Sequence, residues 1–341
     1  MSKMDAAALG AALDARARAN GLSGAVSLDI DGDIVFAEAY GLADRAHGTP
    51  NTVGTRFGTA SASKGFTAAA VWSLIDDGAL RPDTPVRGIL NDDLPTIDDR
   101  VTIEHLLTHT SGIGDYLDED ADWEVDDYIL TVPVHELAET EAFVRAIDGH
   151  AQKFPPGERF SYCNGGYVVL AIVAQRVSGV PFHDLVDQRV FVPAGLTGTA
   201  YLRTDELPGD AAQGYLYESP ESLRTNVLHL PVRGNGDGGA FTTVADMSRF
   251  WRALVDGAII SPHSVAEMTR PRNIAEEDRM RYAAGVYLDL DTPALDLVGY
   301  DAGVSISSRF DPRTRFTATI VANTPEGAWG VARELRQSLG L

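Results

Sequence analysis

The chain has 341 residues, of which 44% are hydrophobic and 23% charged, and this balance is typical of a globular protein with a large core. Its formal net charge at pH 7 is −21, so its surface repels phosphate backbones and anionic lipid headgroups, and we expect neither nucleic acid nor a membrane as partner. A single cysteine, Cys163, excludes an intramolecular disulfide.

The first 24 residues predict an amphipathic helix without the basic start and apolar run of a secretory signal. No segment reaches the roughly 18 apolar residues that span a bilayer. We therefore expect a cytoplasmic protein, unless the native chain carries a leader upstream of residue 1.

The next elements are predicted from periodicity and from turn residues. Residues 24–40 alternate apolar and polar side chains around an Asp-Gly pair, which predicts a β-hairpin. A helix is predicted at 61–77, ending at Gly78, and a short helix at 103–107. Residues 115–127 carry eight acidic side chains and predict a solvated loop. Further predicted helices span 134–146, 165–177 and 244–255; predicted strands span 285–290, 297–310 and 315–323; and a closing helix spans 329–339.

Strands thus lie at both ends of the sequence and helices in the middle. This order predicts an α/β (α+β) fold in which one antiparallel sheet, flanked by helices, is built from both termini around a mostly helical inserted lobe. The boundaries we expect are residues 1–78 with 229–341 for the sheet domain, and 79–228 for the lobe.

The first long helix opens with a Ser-x-x-Lys pattern. Its (i, i+3) spacing places Ser61 and Lys64 on one helix face, near an N-terminus that favours developing negative charge. A serine hydroxyl needs a nearby base, and a partly buried lysine can lose its proton whereas arginine effectively cannot. Only three of the 28 basic residues are lysines, yet one stands at this position.

A second candidate pair precedes the helix predicted at 165–177. Tyr162, near Lys64, could shuttle a proton as a phenolate, and Asn164 could hold a substrate amide. The alternative is structural: Tyr162 packs, and Asn164 caps the helix.

Four segments together carry a resemblance to the serine β-lactamase-like family, which includes penicillin-binding proteins, class C β-lactamases and family VIII esterases. Residues 57–64 resemble the nucleophile segment, 156–164 the Tyr-x-Asn motif, and 238–247 the Gly-Gly segment with its helix; residues 103–112 resemble a further landmark of the family. The resemblance implies the β-lactamase/transpeptidase-like fold, with the site in the cleft between sheet and lobe.

The third catalytic motif of that family departs from the pattern. The family has Lys-Thr-Gly or His-x-Gly on a strand that lines the site, and here Tyr300 stands at the cationic position. The Gly303 N–H is expected to form the oxyanion site together with the Ser61 N–H. A neutral phenol supplies no full charge for a substrate carboxylate, so we expect simple esters to be better substrates than cephalosporins.

The resemblance implies a serine hydrolase in which Lys64 and Tyr162 deprotonate Ser61 and an ester or small amide acylates it. Two alternatives stay open: β-lactamase or D,D-/D-amino peptidase activity, and a catalytically silent ligand-binding module on the same fold.

We predict no metal and no organic cofactor. His105 and His109 have a zinc-compatible spacing but no His-Glu-x-x-His pattern, and the glycine pattern of residues 234–239 lacks the strand that a dinucleotide site needs. Cys163 is interpreted as a small buried thiol.

Overall fold

A computed structural model describes residues 3–119, 128–219, 222–276 and 279–341, and its sheets are built from fourteen strands in this described part of the chain. In chain order they are β1 (Gly24–Ile30), β2 (Asp33–Tyr40), β3 (Leu42–Asp44), β4 (Thr49–Pro50), β5 (Phe57–Gly58), β6 (Tyr215–Ser219), β7 (Ser222–Thr225), β8 (Phe241–Thr242), β9 (Asn273–Ala275), β10 (Met280–Tyr282), β11 (Tyr287–Leu288), β12 (Leu295–Asp301), β13 (Val304–Asp311) and β14 (Phe316–Ala322).

The α-helices are α1 (Lys3–Ala19), α2 (Lys64–Asp76), α3 (Arg87–Leu90), α4 (Ile103–Leu107), α5 (Val144–Ile147), α6 (Asn164–Ser178), α7 (Phe182–Val186), α8 (Val192–Ala194), α9 (Val244–Val255), α10 (Pro262–Met268) and α11 (Trp329–Leu339). Short 3₁₀ turns lie at Ala60–Ser63, Val134–Glu136 and Thr140–Phe143, and a π-turn at Asp187–Phe191.

An eight-stranded sheet of order β2-β1-β14-β13-β12-β11-β10-β9 organises the molecule. All of its pairs are antiparallel, and β1 from the start of the chain pairs with β14 from its end, Gly24 opposite Ala322. The expected antiparallel sheet built from both ends of the chain is therefore confirmed. The proposed boundaries of sheet domain and lobe stay a prediction.

Two apolar layers cover the two faces of the sheet. Helices α1 and α11 pack together on one face, where Leu13 and Val331 contact the cluster that includes Ile320. The larger cluster on the other face contains Phe66 of α2 and Leu297 of β12. Because α2 and α6 pack against each other inside this second layer, their N-termini are brought together beside the sheet.

The segment 297–310 was predicted as one strand, and this is wrong. It contains parts of β12 and β13, which form a hairpin with Tyr300 opposite Ser305. The chain turns at Ala302-Gly303, where Gly303 has a φ of +75°, a left-handed conformation that favours glycine. Apolar side chains continue on both arms, so hydrophobicity alone does not mark the turn.

Two other predicted elements differ from the structure. The helix expected at 134–146 is two 3₁₀ turns followed by the single turn of α5. The solvated loop expected at 115–127 begins with buried residues, Asp115 and Tyr116, and its positions 120–127 lie outside the described residues.

Among the described residues, no single helix is long and apolar enough to cross a membrane. One bent pair, Asn164–Ser178 with Phe182–Ala194 at 83°, meets the length and composition criterion when its two helices are taken together.

Candidate active site

The turn before α2 sets the position of Ser61. Ala60 has a φ of +43°, in the left-handed region that alanine rarely adopts, and the 3₁₀ turn that follows leads directly into the helix. Ser61 is partly exposed, whereas Ser63 is fully buried. The Ser63 hydroxyl lies 2.7 Å from the Thr59 hydroxyl and accepts a hydrogen bond from the Ala240 N–H at 3.1 Å. Ser61 therefore faces the solvent side of this turn, and Ser63 fixes the turn to the Gly-Gly segment.

Lys64 is buried beneath Ser61, with 2% of its surface exposed. Its Nζ donates to Ser61 Oγ at 2.9 Å, to Asn164 Oδ1 at 2.7 Å and to the backbone oxygen of Asp237 at 2.7 Å. All three donors of the ammonium are used. The predicted Ser61–Lys64 pair is thus within direct hydrogen-bond distance.

Opposing effects act on the ionisation of Lys64. Burial lowers the pKa of Lys64, because desolvation penalises the ammonium, and the neighbouring carboxylates, first among them Asp237, raise it. The net direction is downward, which favours the neutral amine that can accept the Ser61 proton.

Tyr162 lies beside this pair. Its ring stacks on the His109 imidazole at 4.2 Å between centroids, and Lys64 Nζ lies 4.9 Å from the centre of the Tyr162 ring. Burial raises the pKa of Tyr162 well above its usual value, and nearby Tyr287 and Glu119 raise it further. The resting site therefore holds Tyr162 as a neutral phenol and not as the phenolate considered from the sequence.

His109 belongs to the site in a role that the sequence did not suggest. The imidazole is buried, accepts the Cys163 N–H on Nδ1 at 3.0 Å, and lies 3.1 Å from the Tyr282 hydroxyl through Nε2. Burial and the nearby Lys64 lower the pKa of His109 well below its usual value, so the ring is neutral. The ring supports that of Tyr162. This role depends on a tertiary contact, so no sequence pattern could have predicted it.

His105 has a separate, local role, since its Nδ1 accepts the Thr102 N–H at 3.2 Å. Within the described residues, no group of three or more His, Cys, Asp or Glu side chains is placed to hold a metal ion.

Helix α6 begins at Asn164, but the Asn164 side chain is already hydrogen-bonded to other groups of the protein. Its Oδ1 accepts from Lys64, and its Nδ2 donates to the Leu117 oxygen at 3.1 Å and to Glu119 at 2.8 Å. The carboxamide that was considered as a substrate ligand therefore holds Lys64 in place. The capping side chain of α6 is the neighbouring Cys163, whose Sγ accepts the Gly166 N–H.

Asp115 also closes the start of α6. Its carboxylate accepts the N–H groups of Asn164 and Gly165, at 2.5 and 2.8 Å. Burial raises the pKa of Asp115 to about 7, against these hydrogen bonds, which favour the charged form. Because the surrounding segment is rich in acidic residues, the sequence predicted a solvated loop and not a buried carboxylate at Asp115.

The Gly-Gly segment lies directly behind the nucleophile turn. A Cβ on Gly238 would stand 3.3 Å from the Ala60 oxygen, and Gly239 has a φ of +88°. The preceding Asp237 uses its carboxylate to accept the Tyr116 hydroxyl at 2.5 Å. This close approach brings the Asp237 carbonyl to Lys64.

The end of β12 forms the opposite wall. Tyr300 is 43% exposed and lines the cleft, and its ring lies 6.0 Å from that of Trp329 in α11, which lines the cleft as well. Gly303 borders the cleft in the following turn. The roles of Tyr300 as replacement for a cation and of Gly303 as oxyanion donor stay predictions.

These elements enclose a cleft of about 720 Å³ with Ser61 in its wall. Its lining includes apolar side chains such as Leu117, Leu230 and Val298. The volume is sufficient for a small organic molecule.

A family model described as Beta-lactamase matches residues 9–340. The chain belongs to the β-lactamase family. Within it, the putative penicillin-binding protein PbpX of Bacillus subtilis (strain 168) is 30% identical over 251 residues, which are 74% of this chain and 59% of the relative. Esterase EstB of Burkholderia gladioli is 34% identical over 232 residues, 65% of this chain and 58% of the relative.

The β-lactamase fold is shown by solved structures as well. The crystal structure of a penicillin-binding protein from Bacillus halodurans is 36% identical, with a TM-score of 0.89, and the match covers 95% of this chain and 99% of that one. The chain spans less than two thirds of the length of PbpX and EstB, whereas it matches the Bacillus halodurans protein over almost its whole length.

Proposed function

We propose that this protein is a serine hydrolase that forms an acyl-enzyme on Ser61 and acts on esters or small amides. The observation that carries the proposal is the hydrogen bond of 2.9 Å between the buried Lys64 Nζ and Ser61 Oγ. The esterase and penicillin-binding proteins among the relatives support the same class.

The geometry supports a sequence of balanced proton transfers. Neutral Lys64 takes the Ser61 proton while Oγ attacks the substrate carbonyl carbon, and backbone N–H groups at the turn stabilise the oxyanion. The resulting ammonium returns a proton to the leaving alcohol or amine, with the neutral Tyr162 phenol as relay. Water then attacks the acyl carbon and passes a proton to the same groups; the bond between the acyl carbon and Ser61 Oγ breaks, Oγ takes that proton back, and the acid is released.

Ester substrates are favoured over carboxylate-bearing β-lactams by the charge of the cleft. None of the described residues that line it is a lysine or an arginine. A substrate carboxylate would therefore be desolvated there without a cationic partner, at a cost in binding. The silent binding module is disfavoured because Ser61 and Lys64 are both present and in contact.

The proposal is tested by locating a covalent adduct. A fluorophosphonate probe is expected to add one adduct mass to the protein and, after digestion, to map to Ser61. Ser61→Ala should abolish both the adduct and the hydrolysis of p-nitrophenyl butyrate. Lys64→Arg keeps the charge but supplies no base at neutral pH, so kcat/KM should fall by about 100-fold or more.

Ser63→Ala is the matched control, because it removes a hydroxyl two residues away. Its loss leaves the Ala240 N–H without its partner, so we expect a lower Tm but continued labelling at Ser61. Labelling that depends on Ser63 and survives in Ser61→Ala would refute the assignment. In the same preparation, a higher kcat/KM for nitrocefin than for p-nitrophenyl butyrate would refute the ester preference.

A further inference from the structure

The cleft around Ser61 is strongly acidic. Four carboxylate side chains are among the described residues that line it: Glu119, Asp237, Asp301 and Glu326. The described lining residues include no lysine or arginine. The internal positions outside the described residues, 120–127, 220–221 and 277–278, also contain no lysine or arginine in the sequence. Lys64 lies beneath this surface with its three donors already used.

Two arginines that could supply a cation, Arg309 and Arg224, are not among the described residues that line the cleft. Arg309 is 3% exposed and is held in a buried ion-pair cluster, with Asp296 at 2.8 Å and Asp289 at 3.0 Å. Arg224 is exposed and contacts the His229 ring at 2.6 Å. Among the described residues that line the cleft, a substrate carboxylate therefore meets four acidic side chains and neither a lysine nor an arginine.

Asp301 occupies the sheet face that packs on the nucleophile turn. Side chains alternate along β12, so Asp301 shares a face with Gly299 and Leu297. A Cβ on Gly299 would stand 2.2 Å from the Thr59 oxygen, and Leu297 lies against Gly65 in α2. Tyr300 lies on the alternate face of the strand and also lines the cleft, so both side chains reach it, and Asp301 is the one of the two that brings a carboxylate.

The Asp301 carboxylate is poorly compensated. Its hydrogen bond is to the adjacent Ala302 N–H at 2.8 Å, and it forms no ion pair within the described part of the chain. Burial, together with the charge of Asp237, raises the pKa of Asp301 to about 7, although Lys64 opposes this. A cation from outside would stabilise the charged form.

We propose that Asp301 is a specificity-determining residue that binds a positively charged amine of the substrate. The preferred substrates are then esters or amides with a free ammonium group near the scissile carbonyl. This inference rests on the proposed function and names its substrate class. A charge-assisted hydrogen bond between ammonium and carboxylate is the contact that selects them.

The test uses three substrates with one leaving group, assayed at pH 8: alanine p-nitroanilide, its N-acetyl derivative and its N-succinyl derivative. Both enantiomers of alanine are assayed. Each compound is also measured as a competitive inhibitor of p-nitrophenyl butyrate hydrolysis, so its affinity is obtained even where it is not turned over. The wild-type protein should favour the free amine over the N-acetyl compound by at least about 10-fold, and the succinyl compound should be the weakest.

Asp301→Asn keeps the shape of the side chain and an oxygen for the Ala302 N–H, but removes the charge. We expect the preference for the free amine to fall by about 10-fold or more. Glu326→Gln is the matched control, since Glu326 is an exposed acid on the same cleft. Solvent screens its charge, so the preference should persist.

The outcomes separate the two levels of the proposal. If the wild-type protein hydrolyses p-nitrophenyl butyrate and labels at Ser61 but shows no preference for the amine, or if Asp301→Asn retains that preference, the role of Asp301 is refuted and the hydrolase stands. If the preference falls equally in Glu326→Gln, the overall negative charge of the cleft and not Asp301 is responsible, which also refutes the assignment.

If Ser61 is not labelled at all, the proposed function itself fails. Fluorophosphonate labelling of Asp301→Asn verifies that its site is folded.

Discussion

Lys64 shows how one residue combines two demands. It must be buried to lose its proton readily, yet a buried amine needs hydrogen-bond partners, and Ser61, Asn164 and the Asp237 carbonyl supply them. Neighbouring carboxylates then limit how far the pKa of Lys64 falls. The protonation of this lysine is thus set by the balance between burial and a few named acids.

That balance predicts the pH dependence of the proposed hydrolysis. kcat/KM for p-nitrophenyl butyrate should rise with pH through the pKa of Lys64, because only the neutral amine accepts the Ser61 proton. Asp237→Asn removes the carboxylate that most strongly raises this pKa, so the acidic limb should move to lower pH. A pH–rate profile of both proteins measures the shift.

An exposed acid provides the control for that profile. Asp83→Asn removes a charge that is paired with Arg81 on the surface, and the limb should stay in place. Movement of the limb to higher pH in Asp237→Asn would contradict the assignment of Lys64 as base.

Sequence and structure agree best for residues whose chemistry depends on local spacing. The pair Ser61 and Lys64 was predictable because three positions along a helix bring two side chains together. The roles of His109 and Asp115 were not predictable in this way. His109 supports the Tyr162 ring and Asp115 caps α6, and each is about 50 residues away from its partner in sequence. Asp301 was overlooked for a different reason: motif matching directed attention to Tyr300, the residue before it, although both side chains line the cleft.

At the level of elements, β12 must approach the turn of residues 60–63 very closely. Gly299 allows this approach, because the backbone oxygen of Thr59 occupies the space where a Cβ would be. The helices and the first hairpin were predictable from periodicity, whereas this backbone contact and the turn at Ala302-Gly303 were not. Such contacts arise from the assembled layers and not from any one segment.

Gly299→Ala should therefore separate β12 from the nucleophile turn. We expect the free energy of unfolding to fall by about 1–3 kcal/mol, as for other overpacked interiors, with a clear loss of labelling at Ser61. Urea denaturation and fluorophosphonate labelling measure the two effects.

Gly88→Ala is the comparison for that variant. Gly88 lies in α3, where a Cβ would have no atom within 4 Å, and alanine favours helix, so stability should be equal or higher by about 0.5–1 kcal/mol. If both variants are equally stable and equally labelled, the close contact of β12 is not required.

For the whole molecule, the excess of negative charge has a measurable cost. With a net charge of −21, carboxylates repel one another across the surface, and salt screens that repulsion. Exposed pairs such as Arg81–Asp83 are weakened by the same salt, but each contributes little. The repulsion should dominate.

Tm is accordingly expected to rise between low and molar NaCl, and KCl should give the same curve because screening does not depend on the cation. A flat or falling curve would show that the acidic surface is already compensated by its ion pairs.

The pairing of β1 with β14 also has a consequence for how the protein is made. During synthesis, the first hairpin emerges from the ribosome long before its partner strand β14, and Ser61 emerges more than 200 residues before β12 (Leu295–Asp301), which lines the cleft. Contacts between such distant segments form slowly, because a long loop must close first. The nascent chain would thus carry its nucleophile while still lacking the wall of the cleft, and hydrolytic competence would appear only once residues 295–322 have also been synthesised.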